Sequence, residues 1–173
     1  YGPGGLEECI QVAELDKSIG RLLAALDARK IDYTVVLSAD HGGPDVVERQ
    51  ELQAYPQAER VDDALMPGAL AKAITAATGI AAPSGPLLYS DGPFGDFYIA
   101  RNLDAAQKAK VQAALVDLVR AHPQVAAAFT AQELAAAPSP TGSPQDWTLL
   151  ERARASFDAQ RAGDVVVLLK RGI

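Results

Sequence analysis

Apolar residues between Gly5 and Lys30 recur at Val12, Leu15, Ile19, Leu22, Leu23 and Leu26. Steps of three and four place them on one face of a helix. Glu7 and Glu8 at its start and Arg29 and Lys30 at its end suit the helix dipole. The pattern then changes. Tyr33–Ala39 (YTVVLSA) is a short β-rich apolar run with no polar alternation, the mark of a strand covered on both faces. A helix leading into such a strand predicts an α/β layered sheet with parallel members.

Asp40 to about Arg60 is polar, with Gly and Pro, and reads as a loop. Asp62 or Asp63 is placed to cap a second helix over 64–78, closed by Gly79. Leu87–Ser90 and Asp96–Ala100 flank the turn Asp91-Gly92-Pro93-Phe94-Gly95 and predict a hairpin. Asp104, with Gln107 three residues on, predicts a capping box for a third helix. Its apolar face is Val111, Leu115, Leu118 and Val119, and it stops before Pro123. Val125–Phe129 reads as a further strand, completing a β-β-α-β lobe. The Ala/Pro/Ser/Gly-rich stretch 135–144 reads as a surface connection. Trp147–Arg161 is expected to be helical, and Asp164–Lys170 (DVVVLLK) to be a second buried strand. These elements predict a portion of a three-layer α/β/α sandwich, with a small α+β lobe inserted over Pro83–Gln160.

Composition narrows what such a chain can do. With 173 residues, 49% of them hydrophobic, it can bury a sizeable core. No window approaches 18 uninterrupted apolar residues, so no membrane-spanning helix is expected. The net charge is −6 and no basic cluster occurs, which argues against a nucleic-acid partner held through its phosphates. Cys9 is the single cysteine, which excludes an internal disulfide and a thiolate zinc site. Beside Glu7 and Glu8 it is also a poor candidate for a reactive thiol. Tyr1-Gly2-Pro3-Gly4-Gly5 reads as a loop entered from upstream, and 168–173 as a strand cut at its exit. The chain is therefore expected to be a piece of a longer one.

The segment with candidate chemistry is Ser38-Ala39-Asp40-His41-Gly42-Gly43. In open α/β sheets, ligands gather beyond the carboxyl ends of the strands. Neighbouring side chains in a strand point to opposite faces, so Asp40 and His41 converge only if the chain turns there, as Gly42-Gly43 permits. A carboxylate and an imidazole suit zinc or another divalent transition metal. On spacing alone a second reading stays open, in which Asp40 caps a turn and His41 donates to a backbone carbonyl. Two ligands also fall short of the three or four protein donors of a zinc site. His122 precedes Pro123 after a helix and reads as a helix-end residue. Asp45, Glu48 and Arg49 read as a solvated charged loop before they read as substrate contacts. Gly92-Pro93-Phe94-Gly95 reads as a turn, and Ser38 lacks a Gly-x-Ser-x-Gly setting.

Leu37-Ser38-Ala39-Asp40-His41-Gly42 resembles the Asp-His-Gly signature of the alkaline phosphatase superfamily. It is most similar to the branch of nucleotide pyrophosphatase/phosphodiesterases and monomeric bacterial alkaline phosphatases. Residues 14–23 resemble the helix before that strand, and Tyr1-Gly2-Pro3 resembles the residues that follow the family's Asp-x-x-Gly-His metal motif. The resemblance implies the C-terminal part of a phosphoester hydrolase with two zinc ions per full-length chain. Asp40 and His41 would ligate the zinc on the side of a Thr or Ser nucleophile. It implies a small-molecule phosphoester substrate, monoester or diester, and a periplasmic or secreted location. It also places the nucleophile and further ligands upstream of Tyr1, and a last His beyond Ile173. No catalytic residue is then expected within 1–173, and the isolated chain is expected to be inactive. The alternatives are another metal-dependent member of the superfamily (a sulfatase, phosphoglycerate mutase or phosphonate hydrolase) or a non-catalytic α/β binding domain.

Overall fold

The computed structural model describes residues 2–39, 42–53 and 55–173. Helices and strands mix along the chain, which is of the α/β class. It divides into two compact units, Tyr1–Glu59 with Gly172, and Arg60–Arg171 with Ile173.

The first unit is built on α1 (Leu6–Ala28), with Glu7 and Glu8 in its first turn as expected. At its end the Lys30 N–H donates to the Asp27 carbonyl (2.9 Å) and the Ile31 N–H to the Leu26 carbonyl (3.2 Å). This paired closure turns on Lys30, whose φ is +56. The predicted strand over Tyr33–Ala39 does not form: the segment belongs to no sheet among the described residues. A strand needs another strand's N–H and C=O groups, and none among the described residues meets it. Its apolar side chains therefore stand open, with Val36 85% and Leu37 89% exposed. The stripe on α1, including Val12, Leu15 and Leu22, is exposed as well. A short helix, α2 (Val47–Gln53), ends the unit's regular structure.

The second unit is Arg60–Arg171 with Ile173. Asp62 caps a single 3-10 turn, Asp63–Leu65, by accepting from the Ala64 N–H. α3 (Pro67–Thr78) begins on a proline and closes on Gly79, whose φ of +70 favours glycine. β1 (Leu88–Tyr89) and β2 (Gly95–Ile99) form the expected antiparallel hairpin, with Leu88 opposite Ile99. α4 (Ala105–Ala121) starts with the Asp104/Gln107 capping box. Its buried arc is Val111, Leu115, Val116 and Val119, and Leu118 lies half exposed at the edge of that arc.

β3 (Val125–Thr130) runs into α5 (Ala131–Ala136), and α6 (Leu149–Ala155) is shorter than the helix expected over Trp147–Arg161. Thr148 caps α6, which closes at Ser156, and beyond it the chain turns at Asp158, whose carbonyl accepts from the N–H groups of Arg161 and Ala162. β4 (Val165–Leu169) is the DVVVLLK strand, and it pairs antiparallel with both β2 and β3. The sheet order is β1-β2-β4-β3, with every pairing antiparallel, so the expected parallel members are not seen. The reason lies in Tyr33–Ala39, the strand expected to supply parallel pairing, which enters no sheet.

Val165 and Val167 face a core made with Phe97, Ile99, Ile74, Val111 and Leu115. Val166 and Leu168, on the other face, are only partly covered.

Candidate functional site

Asp40 and His41, the two metal ligands expected from the sequence, lie outside the described residues. What is described is the chain on either side of them. Residues 32–39, without regular secondary structure, precede them, and Gly42 and Gly43 follow. A Cβ on either glycine would meet no described atom within 4 Å.

The next residue with defined chemistry is Asp45. Its Oδ1 accepts from the Val46 N–H (2.8 Å) and pairs with the Arg49 guanidinium (2.5 Å) one helical turn on. The Gln50 amide donates to the Asp45 carbonyl. The Asp45 carboxylate also lies directly against Gly2 and Gly4, where a side chain on either glycine would collide with it. Gly2 has a φ of +75, so it needs glycine for conformation and for space. The loop at residues 2–4 and the loop after Asp40-His41 are thereby packed together inside the first unit. Sequence reasoning did not find this contact. Its traces were the glycines at 2 and 4 and the Asp/Arg pair at helical spacing in 45 and 49. Asp45 and Arg49, read as a solvated charged loop, are instead half-buried and bonded to each other.

The remaining candidates fall in the second unit or on open surface. His122 is the C-cap residue of α4, as expected. Its Nδ1 accepts from the Gln124 N–H (3.3 Å) and its Nε2 lies 3.5 Å from the Asp62 carboxylate. The Ala64 N–H first, and His122 after it, hold the Asp62 carboxyl below its ordinary value. This arrangement is a structural one. Cys9 is exposed on α1. Gly92 lies in the hairpin turn, where the Ser90 hydroxyl donates to its carbonyl. Among the described residues no three His, Cys, Asp or Glu side chains are grouped to hold a metal.

A cavity of about 630 Å³ lies on the second unit's open sheet face, walled by Phe94, Leu149, Phe157, Val166 and Leu168. Arg152 at its side has Nε and Nη2 bound to the carbonyls of Trp147 and Gln145. Its walls are mainly apolar, with Asp96, Ser156, Asp158 and Arg161 also on its lining. No helix among the described residues is long and apolar enough to cross a membrane.

Comparison with known proteins bears on the Asp-His-Gly segment and the whole chain around it. Alkaline phosphatase PhoK of Sphingomonas sp is 48% identical over 170 residues, covering 98% of this chain and 30% of its own length. Alkaline phosphatase PhoD of Zymomonas mobilis subsp. mobilis is 49% identical over 171 residues, covering 98% of this chain and 29% of its own. The chain thus spans less than a third of the length of these relatives. Residues 1–173 match, from end to end, the family described as type I phosphodiesterase / nucleotide pyrophosphatase. The chain belongs to the type I phosphodiesterase / nucleotide pyrophosphatase family.

Proposed function

We propose that the protein hydrolyses phosphoesters of small molecules, in the manner of an alkaline phosphatase, and that Asp40 and His41 ligate one of two zinc ions in the full-length chain. The observation that carries this reading is the Asp40-His41-Gly42 sequence within a chain 48–49% identical to two proteins named alkaline phosphatase. The packing of Gly2 and Gly4 on Asp45 supports it. That contact holds the segment resembling the sequel of the Asp-x-x-Gly-His motif beside the loop leaving Asp40-His41.

The donor types fit the metal: a carboxylate oxygen and an imidazole nitrogen are ordinary zinc ligands, and the remaining donors would come from beyond these 173 residues. A bound zinc would supply Lewis acidity at a phosphoryl oxygen and lower the pKa of an attacking hydroxyl. Within this chain, Asp40 and His41 hold the ion, and the Asp45–Arg49 pair fixes the loop that follows them. The nucleophile, a Thr or Ser, lies upstream of Tyr1 in this reading. The exposed apolar face of α1 and of Ile31–Leu37 is the surface on which the rest of a layered sheet would pack. A periplasmic or secreted location belongs to the same proposal.

Metal analysis of the full-length protein tests the assignment. Two zinc per chain are expected, with Asp40→Ala and His41→Ala each lowering that content and p-nitrophenyl phosphate hydrolysis together. Full zinc occupancy and unchanged turnover in both variants would refute the role given to the pair.

A further inference from the structure

β3 is an edge of the four-stranded sheet. An edge strand shows N–H and C=O groups on its open side at every second residue, a template for pairing with another chain. The Ala131 N–H donates to the Asp164 carbonyl (3.0 Å), so the polar groups at 131 face β4. Alternation then turns those of Thr130 and Ala128 outward.

Side chains of the same chain meet both outward positions. The Thr130 N–H donates to Glu133 Oε2 at 2.7 Å. The Ala128 carbonyl accepts from Arg120 Nε at 3.0 Å and from Nη2 at 2.7 Å. The same Nη2 donates to Glu133 Oε1 at 2.8 Å and Oε2 at 2.9 Å. A guanidinium from the last turn of α4 and a carboxylate from the first turn of α5 therefore lie where a fifth strand would bond.

As a surface ion pair alone, half exposed on both sides, this contact would stabilise little. Its geometry does something else, because each partner is also bonded to the open backbone of β3. We propose that Arg120 and Glu133 are an edge lock that keeps β3 from pairing with a second copy of this chain. A second copy is the occupant the strand suits. VAAAFT carries no charge and is apolar up to Thr130, and two identical edges can pair antiparallel about a two-fold axis. β3 holds no Pro or Lys, and its register irregularity between Val125 and Ala127 leaves Ala128–Thr130 as the regular stretch of edge.

Arg120→Met keeps the apolar stem and removes every donor. Sedimentation velocity of the full chain across a wide concentration range is expected to show dimers or larger species in R120M. The concentration at the association midpoint should fall roughly tenfold or more against the unmodified chain, with the circular dichroism spectrum retained. Glu133→Gln keeps an acceptor for the Thr130 N–H but loses the ion pair, and a smaller shift in the same direction is expected. Adding Ala126→Lys, a charge on an exposed position of the edge, should reverse the association of R120M. A folded R120M chain that associates no more than the unmodified one overturns the proposal. So does association that Ala126→Lys leaves in place, since that would mark unfolded protein and not a paired edge. Should R120M lose its folded spectrum, Glu133→Gln decides alone, and no shift in its midpoint overturns the proposal.

Discussion

Gln124 is the buried polar side chain of the second unit, 7% exposed, and its amide bonds in two directions. Oε1 accepts from the Asp62 N–H (2.7 Å) and Nε2 donates to the Arg60 carbonyl (3.0 Å). Its main-chain carbonyl accepts from the Lys170 N–H (2.8 Å). One residue thus ties the chain where it enters the unit to the chain where it leaves. Gln124→Ala would strand two half-buried backbone groups, each at about 1–3 kcal/mol. A loss of about 2–4 kcal/mol is expected in urea unfolding of the full chain. A midpoint unchanged from the unmodified chain would show that water replaces both bonds. Nothing in the sequence announced this role. A glutamine in the short link between His122-Pro123 and a strand reads as solvent-facing, and its partners lie more than sixty positions away.

Among the elements, three helices open on the same device. Asp104 with Gln107, Thr130 with Glu133 and Thr148 with Glu151 each exchange side-chain and backbone bonds. The first was legible because an apolar helical stripe follows it. The second lies between the strand read over Val125–Phe129 and the connection read over 135–144, where no element was expected, and the third inside a helix expected to begin at Trp147. Spacing alone signals a cap only when the element it opens is recognised. The hairpin, α4 and β4 could be read because their apolar residues meet partners inside the chain. Tyr33–Ala39 carried an equally strong strand pattern and formed none, because periodicity reports what a segment can pair with and not whether the partner is present.

These caps also set an acid response. The Thr148 N–H and hydroxyl hold the Glu151 carboxyl below its ordinary value. Burial pushes Glu133 up, but the Thr130 and Arg120 hydrogen bonds together outweigh it and leave that carboxyl lowered. Asp62 is lowered too, by the Ala64 N–H first. A carboxyl lowered in the folded state stabilises it fully above the unfolded pKa, and that contribution disappears as pH falls through the folded one. The urea midpoint is therefore expected to hold level down to about pH 5 and to fall between roughly pH 5 and 3. Glu151→Gln should make the fall shallower. A midpoint that rises on acidification would contradict the sign.

For the whole molecule, the chain belongs to its family from end to end yet spans about 30% of the relatives' length. The exposed apolar faces of α1 and of residues 31–37 belong to the same picture. In the proposed reading the nucleophile and most metal ligands lie elsewhere. Purified residues 1–173 are accordingly expected to show no p-nitrophenyl phosphate hydrolysis above buffer, while the full-length protein turns it over. Measurable turnover by the isolated chain would end that claim. The candidate site was legible only through the Asp40-His41-Gly42 motif, since a carboxylate and an imidazole side by side have commoner uses than holding a metal. The docking of Gly2 and Gly4 on Asp45 depends on residues more than forty positions apart, and no local pattern encodes that.

β4, the last strand in the chain, lies between β2 and β3 in the sheet. During synthesis, β1, β2 and β3 leave the ribosome with no strand to join the hairpin to β3. Residues 165–169 must arrive before Phe97 and Thr130 can share Val165 as their common neighbour. The sheet's order of assembly thus runs against the order of translation, and closing it means bringing together segments separated by some seventy residues. Until that moment the apolar face of β2 and the β4-facing edge of β3 are open to other chains. The most vulnerable interval in the life of this unit is its wait for five residues near its end.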